Sequence, residues 1–185
     1  QLSSDVVTEV NGYERLETDD GVAKYLIRAG HAKTFSDDHL ELQAVYLELY
    51  GDDGVTKDRM SADSALYVPG ENKNFTTYLK GTVQIDTSDG LKVNTNSITY
   101  TRGTETAEID EAVSYERENI RGRSFGAVVR MAEKRLELLK DVEIETFESP
   151  ELAASNIRYA KMNAGTATFD HIANKIDLVS NVEII

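Results

Sequence analysis

The chain has 185 residues, 20 Lys and Arg against 33 Asp and Glu, a net charge of −13, and no cysteine. That length predicts a single domain over residues 1–185, able to bury about 70% of the surface its unfolded chain exposes. The negative field argues against a nucleic-acid partner, and the lack of cysteine removes disulfides, thiol nucleophiles and thiolate metal sites, leaving packing to supply stability.

Residues 1–20 read as a polar N-terminal lead-in: Ser3, Ser4 and Asp5 follow Gln1, and the chain does not open on Met. An upstream signal or anchor removed from this chain is the expectation. The longest apolar runs, such as Val6-Val7 and Ala127-Val128-Val129, fall far short of the roughly 18 residues a membrane span needs. From there the pattern alternates with a period of two, as half-buried strands do. Tyr25-Ile27-Ala29, Leu40-Leu42, Val45-Leu47-Leu49, Phe75-Thr77-Leu79, Val83-Ile85, Leu91-Val93-Thr95, Ile98-Tyr100, Val113-Tyr115 and Ile176-Leu178 carry it. The slips between Leu42 and Val45 and between Thr95 and Ile98 predict β-bulges. Asp20-Gly21, Asp53-Gly54 and Asp89-Gly90 are hairpin-turn dipeptides.

Two stretches resist a strand reading. Ala127 to Lys140 has helix-forming composition, and Pro150 to Asn156 could form a helical turn with Pro150 at its first position. An internal repeat overrules the first. KRLELLKDVEI at 134–144 returns as NKIDLVSNVEI at 174–184, 40 residues on, with Phe75 to Ile85 a looser third copy. Units this small cannot bury a face alone, so stacked strands sharing one elongated core are expected.

The run from Lys80 to Phe125, followed by LELLKDVEI, resembles the periplasmic bridge proteins of lipopolysaccharide transport: LptC, LptA and the organic-solvent-tolerance-like N-terminal domain of the outer-membrane translocon. The resemblance rests on Gly81-x-Val83-x-Ile85, on Gly90-Leu91-x-Val93-x-Thr95-x-x-Ile98-x-Tyr100, on Val113 and on Ile120-x-Gly122, and spans Gly21 to Ile185. Tyr25-Leu26-Ile27-Arg28-Ala29 and Leu40 to Gly54 look more like LptC, whereas the copy after Pro150 is long for it and leaves an LptA-like role open. The resemblance implies an all-β fold, an open β-jelly roll of stacked antiparallel strands whose two sheets form a V-shaped, repeat-built groove. It implies lipopolysaccharide as cargo, other jelly-roll domains of the same system as edge-to-edge partners, and an inner-membrane ABC transporter complex, with a periplasmic location and an N-terminal anchor.

On that footing the groove lining would comprise Ile27, Leu42, Leu47, Leu79, Val83, Ile85, Val93, Ile98, Tyr100, Val113, Phe125, Leu136, Leu138, Phe169, Ile176 and Leu178, although plain sandwich core would give the same alternation. Edge strands for partner pairing are expected at Val22, Tyr25, Ile27 and Ala29 and at Ile176, Leu178, Val182 and Ile184, unless Lys24, Arg28, Lys175, Asp177 and Glu183 blunt them. Arg117, Arg121 and Arg123 could meet phosphate or simply neutralise Glu116 and Glu118. His31, His39 and His171 lack metal-ligand spacing and read as surface or rim residues; no cofactor and no metal is expected. No nucleophile elbow, Walker loop or dinucleotide fingerprint is present, which points away from an enzyme. A β-solenoid surface module and a motif-less esterase or glycosidase are the alternatives.

Overall fold

From Val6 to Leu138 each strand pairs with the next in sequence across a short connection, and the computed structural model describes residues 2–147 and 159–184. The strands are β1 (Val6–Asp19), β2 (Val22–Phe35), β3 (Leu40–Tyr50), β4 (Lys57–Pro69), β5 (Phe75–Asp86), β6 (Lys92–Thr101), β7 (Thr106–Arg117), β8 (Ile120–Arg130), β9 (Arg135–Leu138), β10 (Val142–Phe147), β11 (Tyr159–Ala164), β12 (Thr166–Asp170), β13 (Lys175–Val179) and β14 (Glu183–Ile184). A 3₁₀ turn, Arg102–Thr104, joins β6 to β7. All fourteen strands belong to one open antiparallel sheet, ordered β1 through β8, then β10, β11 and β14, with β9, β12 and β13 side by side off the other end of β8. The open β-jelly roll is therefore present, and its two layers are the two arms of a single hydrogen-bonded sheet. Pro150 to Asn156 lies outside the described residues.

The arms arise because the inward alternation breaks at one place on each of β2 to β7. Inward residues normally stand two apart. Here Ala29 is followed by Ala32, Leu42 by Val45, Ala62 by Ala65 and Thr95 by Ile98, while Leu79 is followed by Val83 and Ile109 by Val113. Two or three residues intervene instead of one, the strand turns a corner, and its next inward side chain belongs to the other layer. The corners line up: Ala32, Leu42, Ala65, Leu79 and Ile98 are neighbours across the sheet, and Ile109, Ala127, Leu138, Ala167 and Leu178 continue the row. The bulge expected after Thr95 exists, as register shifts on both sides of β6. The slip between Leu42 and Val45 is not a bulge, because β2, β3 and β4 turn together with unbroken register.

Ala127 to Lys140 is not helical: it supplies the end of β8, a turn and β9. The 40-residue repeat is visible as geometry. β9 and β10 stand to β12 and β11 as β13 and β14 do on the other side, with Lys134, Asn174, Asp141 and Asn181 all at positive φ. The lead-in is mostly β1, paired with β2 along nearly its whole length. Its exposed charges disguise it, since an edge strand with few inward neighbours has little reason to alternate.

Two glycines are required by geometry. Gly81 sits at the corner of β5 with φ +75°, and a Cβ there would lie 2.9 Å from the Asp63 Cβ. Gly122 lets the Tyr115 ring lie across β8, its hydroxyl donating to the Glu143 carbonyl at 3.3 Å. We expect Gly122→Ala to destabilise by about 2 kcal/mol through overpacking, measured by urea denaturation.

Glu48 lies on the outer face of β3, almost fully buried beneath neighbouring side chains. Burial opposes its ionisation, but the Lys57 ammonium at 2.8 Å and the Tyr50 and Tyr46 hydroxyls at 2.6 and 2.8 Å outweigh it and hold the carboxyl at about 2 against an ordinary 4.5. A depressed folded pKa gives stability that is present above the unfolded pKa and is lost as pH falls through the folded one. The protein should therefore lose stability from about pH 5 towards pH 2, and Glu48→Gln should flatten that limb in a pH series of melting curves.

Candidate functional site

Packing of the two arms makes one continuous apolar interior, and its character changes along the stack. Near the N-terminal strands it is solid. Tyr25 of one layer meets Phe75 of the other with ring centroids 4.8 Å apart, and its hydroxyl lies 3.4 Å from that of Tyr67. The void among Ile27, Leu42, Val45, Leu47, Tyr67, Phe75 and Leu79 is only about 10 Å³. Burial raises the phenol pKa of Tyr67 and Tyr100, keeping both neutral. Farther along, Val83, Ile85, Val93 and Tyr100 have no exposed surface, and Ile98, Val113, Leu136, Leu138 and Phe169 are buried against them.

At the C-terminal end the arms separate around a cavity of about 440 Å³, lined by Leu91, Tyr115, Ile120, Leu136, Met162, Phe169 and Ile176, with Arg117, Asp170, His171 and Lys175 at its polar margin. That is within the usual volume range for a small-molecule pocket. Its base is set by Tyr115 against Phe169, centroids 5.7 Å apart and edge to face. The cavity exists because β11 to β14 are short and present few large side chains to the interior.

Fifteen of the sixteen groove candidates thus face or border the interior, with Ile176 at the cavity lip and Leu178 half-buried against the core. Phe125 does not. It is 50% exposed and points outward, the Lys140 ammonium 5.9 Å from its ring centroid, while Ser124 takes the inward place and donates to the Gly126 carbonyl. The corner at Gly126, φ +77°, reverses the phase here. Leu91, Ile120 and Met162 also line the cavity, although the expected groove lining omits them; Leu91 already stands in the Leu91-Val93-Thr95 alternation, the signal that marks it as inward.

The arginines divide. Arg117 lies at the cavity margin and donates to the Asp89 carbonyl at 3.0 Å. Arg121 and Arg123 lie on the outer face, paired with Glu145 at 2.8 Å and Glu143 at 3.0 Å. Those two share one open surface pocket with Lys161, apart from Arg117. The N-terminal edge also moves: Val22, Tyr25, Ile27 and Ala29 sit on β2, which has β1 on one side and β3 on the other. Among the described residues the edge is β1, exposing Val6, Val7, Val10 and Leu16. At the other end β13 pairs with β12 and β14 with β11, with Ile176, Val182 and Ile184 exposed.

Of the histidines expected at the surface or rim, His39 is buried instead, while His171 stands at the cavity rim with its side chain largely covered. His39 stacks on Phe35 at 4.1 Å and bonds Asp37. His171, in the turn after β12, bonds the Asp89 carboxylate at 2.6 Å. Burial works against ionisation of Asp89, but its bonds from Thr87 and His171 and the nearby Arg117 prevail and lower its pKa. Among the described residues no cluster of three or more potential metal ligands occurs, and no helix is long and apolar enough to cross a membrane.

A family model described as lipopolysaccharide-assembly, LptC-related, matches residues 4–148. No curated protein matches the chain. With Val83 fully buried and Phe125 half exposed, Val83→Asp should cost several kcal/mol by burying an unpaired carboxylate, whereas Phe125→Asp should change stability by less than about 0.5 kcal/mol; denaturant midpoints compare them.

Proposed function

The chain belongs to the LptC-related family of lipopolysaccharide-assembly proteins, and on that premise we propose that it shelters the acyl chains of lipopolysaccharide between its two layers as the lipid crosses the periplasm. The observation that carries this reading is the apolar cavity at the C-terminal end, continuous with the inner face of the stack. A twelve-carbon chain dragged through water would lose roughly 10 kcal/mol of burial, at about 0.8 kcal/mol per methylene, so a carrier must keep it dry throughout. Rows of similar inward residues across the sheet suit such a path, since neighbouring positions differ little in affinity.

In this reading the lipid comes from an inner-membrane ABC transporter complex and moves toward the outer membrane. β1 at one end and β13 and β14 at the other receive strands of neighbouring jelly-roll domains, since an open edge offers its backbone groups to another chain. Such head-to-tail contacts are heterologous and would lengthen the sheltered path. An N-terminal segment outside this chain would anchor it.

Photo-crosslinking tests this directly. Probes at Leu136 and Ile176 should give lipopolysaccharide adducts during active transport, and probes at outward-facing Lys92, Glu137 and Asp177 should not. Adducts confined to the outward positions, or none at any position, would overturn the proposal.

A further inference from the structure

We propose that the Asp89–His171 pair is a clasp that holds the free rims of the two layers together at the boundary between the filled interior and the C-terminal cavity, and that it must part for an acyl chain to pass from one to the other. The inference rests on the lipid-sheltering reading above. The rim of one layer carries the β5–β6 turn, that of the other the β8–β9 and β12–β13 turns. They meet where Asp58, Ser88, Asp89 and Leu91 face Met131, Lys134, Arg135 and His171 around a void of about 10 Å³. Leu91 and His171 also line the 440 Å³ cavity. The rim contact therefore stands where the filled stack gives way to that cavity.

The bonding divides cleanly between the layers. Asp89 is fixed to its own layer, its carboxylate accepting from the Thr87 hydroxyl and its carbonyl from Arg117 Nε at 3.0 Å. His171 is fixed to the other layer, its backbone N–H donating to the Lys134 carbonyl at 3.1 Å. Each half stays formed if the layers separate, and the link between them is the single contact of His171 Nδ1 with Asp89 Oδ2 at 2.6 Å. With side chains 7% and 13% exposed, that contact is poorly screened by solvent.

A second observation suggests that the closed seam is ready to open. Arg135, which lines the same void, has its Nε buried without a hydrogen-bond partner among the described residues. Closure leaves that donor unsatisfied, and opening would give it water, which offsets part of the loss of the clasp. A different cross-layer contact, Lys73 with the Thr18 carbonyl and Asp19, lies on the exposed surface near the N-terminal strands, away from the cavity at the C-terminal end.

Because the chain has no cysteine, single introduced thiols report the opening without background. In the full chain, the labelling rate of a Val93→Cys probe by a small maleimide should rise at least tenfold when His171→Ala is added. A Val45→Cys probe in the solid end should be unchanged, and Lys73→Ala should move neither. A rise at both probes would mean general loosening, and no rise at either would mean that the pair holds nothing shut; both overturn the clasp. These rates involve no lipid, so they are independent of the crosslinking test. With lipopolysaccharide, His171→Ala should raise adducts at Val93 relative to Ile176; an unchanged ratio, or faster labelling without adducts at either position, would overturn the role in lipid passage.

Discussion

The whole structure depends on one constraint: a strand has only two faces, and each of the long strands β2 to β7 must present the same dry interior from both arms of a bend. A uniform period of two would make a flat sheet with one apolar face in search of a cover. Inserting one or two residues at the corresponding point of successive strands turns the sheet onto itself, so it covers its own face. The corners need backbone that L residues adopt reluctantly, and Gly12, Gly81 and Gly126 stand there with positive φ, joined by Ala44 and Thr82. Closing the interior and placing the corners are the same event.

From this follows the gradient along the stack. Where both arms carry large inward side chains, as with Tyr25, Tyr67 and Phe75, the interior is as full as any core. Where the arms are the short strands β11 and β12, between the two repeat copies, Ala164 and Ala167 take the inward places and the layers part. The interior is thus a packed core at one end and a lined cavity at the other, with no change of architecture between them. The repeat supplies the continuity, and side-chain size decides what is sealed.

Much of this was legible in the sequence, because burial in a sheet is written as alternation and turns as Asp-Gly pairs. The inward rows, the strand nature of 127–140 and the equivalence of the two repeat copies could all be read that way. β1 could not, since an edge strand with one partner carries mostly exposed side chains. Phe125 misled because a large aromatic next to an alternating run looks like core, and only the corner at Gly126 shows that the phase has reversed. His171 and Asp89 are 82 residues apart, and nothing local in either turn announces that two rims will meet.

The most direct test of the central claim follows one acyl chain into the stack. A lauroyl lipid carrying a spin label at its chain terminus, added to methyl-labelled protein, should broaden the methyl resonances of Leu91, Leu136 and Ile176 while sparing Leu47 and Leu79. Broadening confined to outward methyls such as those of Val7 or Val55, with the interior unaffected, would contradict an interior that receives lipid between the folded arms of its own sheet.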